Sequence, residues 1–182
     1  SLRNLQNGTC VFLRYFIKNL PGKDYIIKKL QNNFGWRLSL NKNRKLFLND
    51  FEINVPLNVS IEKNIEIDKF TFNVLFIRWI SKPGVEKSFN YLVNKQGRIV
   101  FRELSSFNHK PSFYLSTYTR SDLVDFFDIH DSSLNFNDEK KFSISSYEYK
   151  KLKSEIQKIG KEIYETFLKE FVDEKIFEYE EK

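Results

Sequence analysis

The stretch SFNYLVNKQGRIVFRE, residues 88–103, decides the fold class. Phe89, Tyr91 and Val93 alternate with Ser88, Asn90 and Leu92, the period of two that sends successive side chains to opposite faces of a strand. Asn94-Lys95-Gln96-Gly97 is a short polar link with a glycine, and Arg98 to Glu103 returns, so the segment predicts a β-hairpin. Upstream, Phe70, Phe72, Val74 and Phe76 alternate strictly, while Thr71, Asn73, Leu75, Ile77 and Trp79 make the other face. Both faces turn apolar toward the end, which predicts a central strand covered on each side. Downstream, Phe113 to Thr119 predicts another strand. Ser121 then caps a short helix through Phe127, with Asp122 and Asp125 near its positive end.

The last segment changes period. Leu152, Ile156, Ile159, Ile163, Phe167 and Phe171 recur every three or four residues and predict one long amphipathic helix, capped by Ser145 or Ser146. Gly160 costs that helix about 1 kcal/mol relative to Ala. The helix either packs on the body or pairs with another chain. Strands followed by a long helix give an α+β class, with mostly antiparallel sheets.

The first third is less regular. Cys10 to Phe16 is β-branched and aromatic enough for a strand. Asn19-Leu20-Pro21-Gly22 is a turn, and Asp24 is placed as the N-cap of a helix carrying Ile26, Ile27, Leu30 and Phe34, with Gly35 at its C-cap. Trp36 to Leu40 and Lys45 to Leu48 are expected as strands turning at Asn41–Arg44, with a further turn at Asn49-Asp50 before Phe51-Glu52-Ile53. Asn54 to Ile67, with Pro56 inside, is expected as a connector or edge strand and as the domain boundary. Pro83-Gly84 marks a turn.

Charge is unevenly placed. The net +6 of the 182 residues contains ten Lys or Arg against two acids in residues 1–50, and six acids against two Lys in residues 170–182. A basic first third attracts phosphate or an acidic partner, or is simply a solvated face. Arg14-Tyr15-Phe16 and Trp36-Arg37 interleave bases with aromatics as single-strand binders do, although strand aromatics are more often core. Cys10, the single cysteine, admits no internal disulfide and is expected to be a buried, inert thiol. Asn7-Gly8-Thr9 and Asn58-Val59-Ser60 match the glycosylation triplet without other signs of secretion. No stretch approaches the roughly 18 apolar residues of a membrane helix, so a cytoplasmic protein is expected. The chain opens at Ser1 and contains no Met, which leads us to expect a piece cut from a longer protein.

Few residues carry recognisable chemistry. Asp128-Ile129-His130-Asp131 offers ligand types for a metal without a matching cluster elsewhere. No nucleophile-elbow pattern accompanies the two histidines, and no glycine-rich phosphate loop follows a strand. No helix-turn-helix, zinc-finger or RNA-recognition signature is present.

The order of the first third resembles a known arrangement. Gly8-Thr9 leads into an apolar stretch, followed by a turn, a basic helix and paired strands ending in Leu48-Asn49-Asp50. This resembles the closing portion of the ATP-binding domain of the GHKL superfamily, which includes gyrase B, the ATP-dependent heat-shock chaperones, histidine kinases, MutL and the MORC ATPases. There a Gly-Thr step opens a late strand, with the Thr beside the nucleotide pocket. In several branches an α+β transducer domain follows and reaches back to the nucleotide with a basic loop residue. Residues 68–127 fit that order, and Asn94-Lys95-Gln96-Gly97-Arg98 resembles a strand-turn-Gly-Arg segment of MORC-like members. The resemblance covers roughly residues 5–170. The superfamily's catalytic Glu and Mg-binding Asn helix, its Asp-x-Gly-x-Gly loop and its glycine-rich lid are not in this sequence.

The resemblance implies three parts: residues 1–60 closing an ATPase domain, 61–142 a transducer-like domain, and 143–182 a long helix with an acidic tail. It implies ATP and Mg2+ as cofactors of the intact protein, and Gly8, Thr9, Lys95 and Lys110 as nucleotide-contacting residues, with no catalytic group or metal ligand in the chain itself. Lys95 and Lys110 are the loop lysines able to sense a γ-phosphate by a charge-assisted contact. Two other functions compete with a piece of an ATP-driven machine: a basic DNA-binding module, and a dimerisation or protein-interaction module using the terminal helix.

Overall fold

The computed structural model describes residues 8–15, 18–41, 43–82, 88–128 and 142–180, with the side chains of 175, 178 and 180 left aside. In chain order the elements are helix α1 (Lys23–Ser39), strands β1 (Phe47–Leu48), β2 (Phe51–Glu52), β3 (Asn58–Ile67), β4 (Phe70–Trp79), β5 (Phe89–Val93), β6 (Ile99–Leu104) and β7 (Tyr114–Arg120), a 3-10 turn at Asp122–Phe126, short strands β8 (Phe127–Asp128) and β9 (Phe142–Ser143), and helix α2 (Tyr147–Glu180). The class is α+β, as expected.

Five strands form the main sheet in the order β3-β4-β7-β5-β6. Every pairing in it is antiparallel except β5 with β7. The strand after the hairpin is therefore inserted between β4 and β5. The expected hairpin is β5–β6, and its turn closes through Gly97 N–H to Asn94 O at 2.9 Å and Arg98 N–H to Asn94 Oδ1 at 2.8 Å. Gly97 sits at φ 74°, the left-handed conformation that glycine adopts without a steric penalty.

Strand β4 is apolar on both faces, and both are covered. Phe72, Val74 and Phe76 face α2 in a core with Leu92, Leu115, Leu152 and Ile156. Ile77 and Trp79 face the other way, with Tyr91, Val93 and Tyr118, under Trp36 and Leu40 from α1. Polar atoms within the sheet are satisfied in place: Trp79 Nε1–H donates to Ser116 Oγ at 3.1 Å, and Leu115 N–H to Ser88 Oγ at 3.1 Å. Ser121 caps the 3-10 turn through Leu123 N–H, and Ser146 Oγ accepts from Tyr149 N–H at 3.3 Å at the start of α2.

Five expectations for the first third are corrected, those for Cys10–Phe16, Cys10, Asp24, Gly35 and Trp36–Leu40. Cys10 to Phe16 was expected as a strand, but Gly8–Arg14 has no ladder partner among the described residues, and Tyr15 takes a left-handed φ of 59°. Cys10 is exposed, not buried, because no layer covers that segment. The N-cap is Gly22, with Asp24 in the first turn. Gly35 does not stop α1: it is buried inside the helix where Pro56 packs against its backbone, leaving no room for a Cβ. The helix therefore runs through Trp36–Ser39, which was expected to be strand. Asn58–Ile67 is the edge strand β3, and the expected division at 60/61 falls inside it. Pro83-Gly84 lies outside the described residues.

Gly160 has a reason beyond helix propensity. A Cβ there would stand 2.5 Å from Phe107 Cε2 and 3.3 Å from Leu115 Cδ2. Gly160→Ala is expected to destabilise the protein by about 1–2 kcal/mol in urea unfolding, overpacking outweighing the helical gain; a more stable variant would contradict this packing. Tyr149 supplies a second test. Burial first, then the adjacent Glu103 charge and hydrogen bond, push its hydroxyl well above the ordinary tyrosine range. Above about pH 10 the unfolded chain loses that proton while the folded chain keeps it, so stability falls as pH rises. Tyr149→Phe is expected to flatten the loss of stability between neutral pH and pH 11, and an unchanged profile would contradict it.

Candidate functional site

The four residues singled out by the resemblance do not form one pocket. Gly8 and Thr9 lie exposed in the extended amino-terminal segment. Lys95 sits on the β5–β6 turn, where Nζ pairs with Asp122 Oδ1 at 3.0 Å and Asp125 Oδ2 at 3.8 Å. Its backbone N–H also donates to Asp125 Oδ1 at 3.0 Å. The hydrogen bond and charge of Asp122, with Asp125 behind them, hold the Lys95 ammonium above the ordinary lysine range. The side chain is 60% exposed, so the pair is weak and readily exchanged with solvent or another anion.

Lys110 lies on the loop after β6, with Nζ 4.9 Å from the centre of the Tyr164 ring on α2. Lys95 precedes β6 and Lys110 follows it, so the six residues of that strand separate them, roughly 20 Å at strand rise. Among the described residues no group of three or more His, Cys, Asp or Glu is placed to hold a metal. Of the Asp128–Asp131 group only Asp128, in β8, lies within the described residues.

The structure brings together a different set. A cleft of about 630 Å3 opens between the carboxyl end of α1, the β1–β2 hairpin and the α1 side of β3 and β4. Leu75, Ile77 and Ile53 are among its apolar residues, and Arg44, Lys45, Glu52, Glu62 and Arg120 are its charged ones. At the rim Lys45 Nζ pairs with Glu52 at 3.2 Å across the hairpin. Glu62 accepts a hydrogen bond from Asn73 Nδ2 at 2.8 Å. Arg120 Nη2 donates to the Leu40 carbonyl at 3.3 Å, meeting the negative end of α1. Sequence order hid this cleft, because its residues come from 38–62, 75–77 and 120. Arg120 shares the sheet end of Lys95, since β7 ends there and runs into Asp122.

The basic residues of α1, Lys23, Lys28, Lys29 and Arg37, are exposed. Lys23 lies over Phe51, Lys29 over Tyr25, and Arg37 over Trp36, at 5.1, 5.5 and 5.1 Å from the ring centres. This basic face is partly spent on the protein's own aromatics. Among the described residues no helix is long and apolar enough to cross a membrane.

Comparison with protein-family models, curated proteins and solved structures finds no match to this chain.

Because Lys95 is tied to acids only at the surface, Lys95→Ala is expected to leave the melting temperature within experimental scatter. Asp125→Ala removes both the charge and the acceptor of the Lys95 backbone N–H, and is expected to lower it. The reverse order would show that the turn is held by the lysine side chain.

Proposed function

We propose that this chain is the closing part of a GHKL-type ATP-binding domain joined to a transducer-like domain, and that it passes the state of a bound nucleotide to the orientation of the five-stranded sheet. The observation that carries the reading is the uncovered amino-terminal segment. Val11, Phe12, Leu13 and Tyr15 are 63–94% exposed. Four large exposed apolar side chains without a ladder partner among the described residues are what a strand leaves when its sheet belongs to another part of the protein. The resemblance puts a strand of the ATP-binding sheet at this place, opened by Gly8-Thr9.

The same segment leads into α1, which lies on the sheet through Trp36 and Leu40. A shift of the amino-terminal layer is therefore delivered to β5 and β7 directly. Lys95 is at the sheet end where β7 leaves toward Asp122 and Asp125. Its exposed pair is one that a more highly charged phosphate would displace, and an anion favouring one pairing over the other biases the orientation by that difference.

In the ATPase that carries this chain, Lys95→Ala is expected to slow ATP hydrolysis by roughly one to two orders of magnitude, the effect of losing one charge-assisted contact in the transition state. Lys110→Ala, at the far end of β6, is the matched comparison. Wild-type turnover in both variants would remove the coupling role. Equal losses of turnover and folding would assign the loops to structure alone.

A second reading rests on α2. Toward its end the helix exposes Leu168, Val172, Ile176, Phe177 and Tyr179, an apolar surface available for dimerisation or for another protein.

A further inference from the structure

The cleft beside α1 holds positive charge that the surrounding protein leaves open. Lys45 and Glu52 satisfy each other at the rim, and Glu62 is engaged by Asn73. Arg120 uses one nitrogen on the Leu40 carbonyl, out of the five N–H donors that a guanidinium offers. Arg44 makes no side-chain hydrogen bond or ion pair among the described residues. The cleft's surface is more polar than apolar, and its apolar part is half-buried Leu75 with Ile53 and Ile77 beneath it, 2% and 1% exposed. A volume of about 630 Å3 falls within the span of small-molecule sites.

We infer that this cleft binds a small organic anion: a carboxylate, sulfonate or phosphate carried on an apolar or aromatic body. The guanidinium groups of Arg44 and Arg120 take the charged head, because planar forked donors match two oxygens of such a group. The body lies against Leu75 and Ile77. Ser60 and Glu62 lie on the β3 side and suit a hydroxyl or amine on the ligand, so a purely anionic molecule without a body is the poorer fit. The ligand would touch the end of α1, the β1–β2 hairpin and the sheet at once. By linkage it stabilises the docked arrangement of α1 over an undocked one. The inference uses none of the nucleotide contacts proposed above and stands or falls without them.

The probe is 8-anilinonaphthalene-1-sulfonate, which has an aromatic body and one sulfonate, titrated into the full chain while Ile and Leu methyl signals are followed by NMR. Saturable shifts of the Leu75 and Ile77 methyls are expected. Arg44→Ala is expected to weaken binding at those methyls by about tenfold or more, as loss of a charge-assisted contact does, and Arg44→Lys to recover part of it. N-phenyl-1-naphthylamine, the uncharged counterpart, is expected to leave these methyls unmoved. Arg120 is left in place because it caps α1. Shifts confined to the exposed Val11–Leu13 segment and the end of α2 would overturn the inference. So would equal affinity in Arg44→Ala, or equal binding of the uncharged probe.

Discussion

Strand β4 carries large side chains on both faces, and the rest of the molecule follows from covering both. Phe72, Val74 and Phe76 require a layer on one side, Ile77 and Trp79 a layer on the other. The chain meets the first demand with α2, whose Leu152 and Ile156 are buried and whose Gly160 lets the helix settle onto Phe107 and Leu115. It meets the second with α1, through the stack of Trp36 on Tyr91 and Tyr118. Tyr91 and Tyr118 lie 4.9 Å apart and 4° from parallel, and Trp36 continues the stack 5.8 Å from Tyr91. Each such ring pair contributes about 0.5–1.5 kcal/mol beyond its buried area. The two layers are unequal: α2 buries a full stripe of side chains, whereas α1 buries only Gly35 completely. The α1 layer is thus the one whose docking a modest free energy can alter.

That inequality connects fold to function. Helix α1 and the β1–β2 hairpin touch the sheet lightly, and the charged cleft lies along their junction with it. Lys95, Arg120 and the end of α1 share one end of the sheet, so charge placed there acts on the junction at short range. The Lys95–Asp122 pair is largely open to solvent, whereas the Arg120–Leu40 contact is part-buried.

The parts legible in the sequence were those set by local periodicity. The β5–β6 turn, both faces of β4 and the length of α2 follow from alternation and helical spacing, and Ser121 and Ser146 do cap where their position before an apolar run suggests. The misread parts depended on distant contacts. Gly35 looks like a helix end because glycine commonly stands there, but it is required by Pro56, twenty-one residues on, and Trp36–Ser39 consequently stays helical. Cys10 to Phe16 has strand composition, and composition does not supply a partner strand. For the candidate site, Asp122 and Asp125 were legible as helix-start acids but not as the holders of Lys95. The cleft was illegible altogether, because strand register and the docking of α1 assemble it from separated residues.

Hydrogen–deuterium exchange of the Trp36→Ala protein tests most directly the claim that this stack is the main tie of α1 to the sheet. Amides of residues 23–39 are predicted to lose their protection, while those of β4, β7 and the first half of α2 keep theirs. Unchanged protection of α1 would contradict the claim, as would a collapse of the whole sheet together with α1.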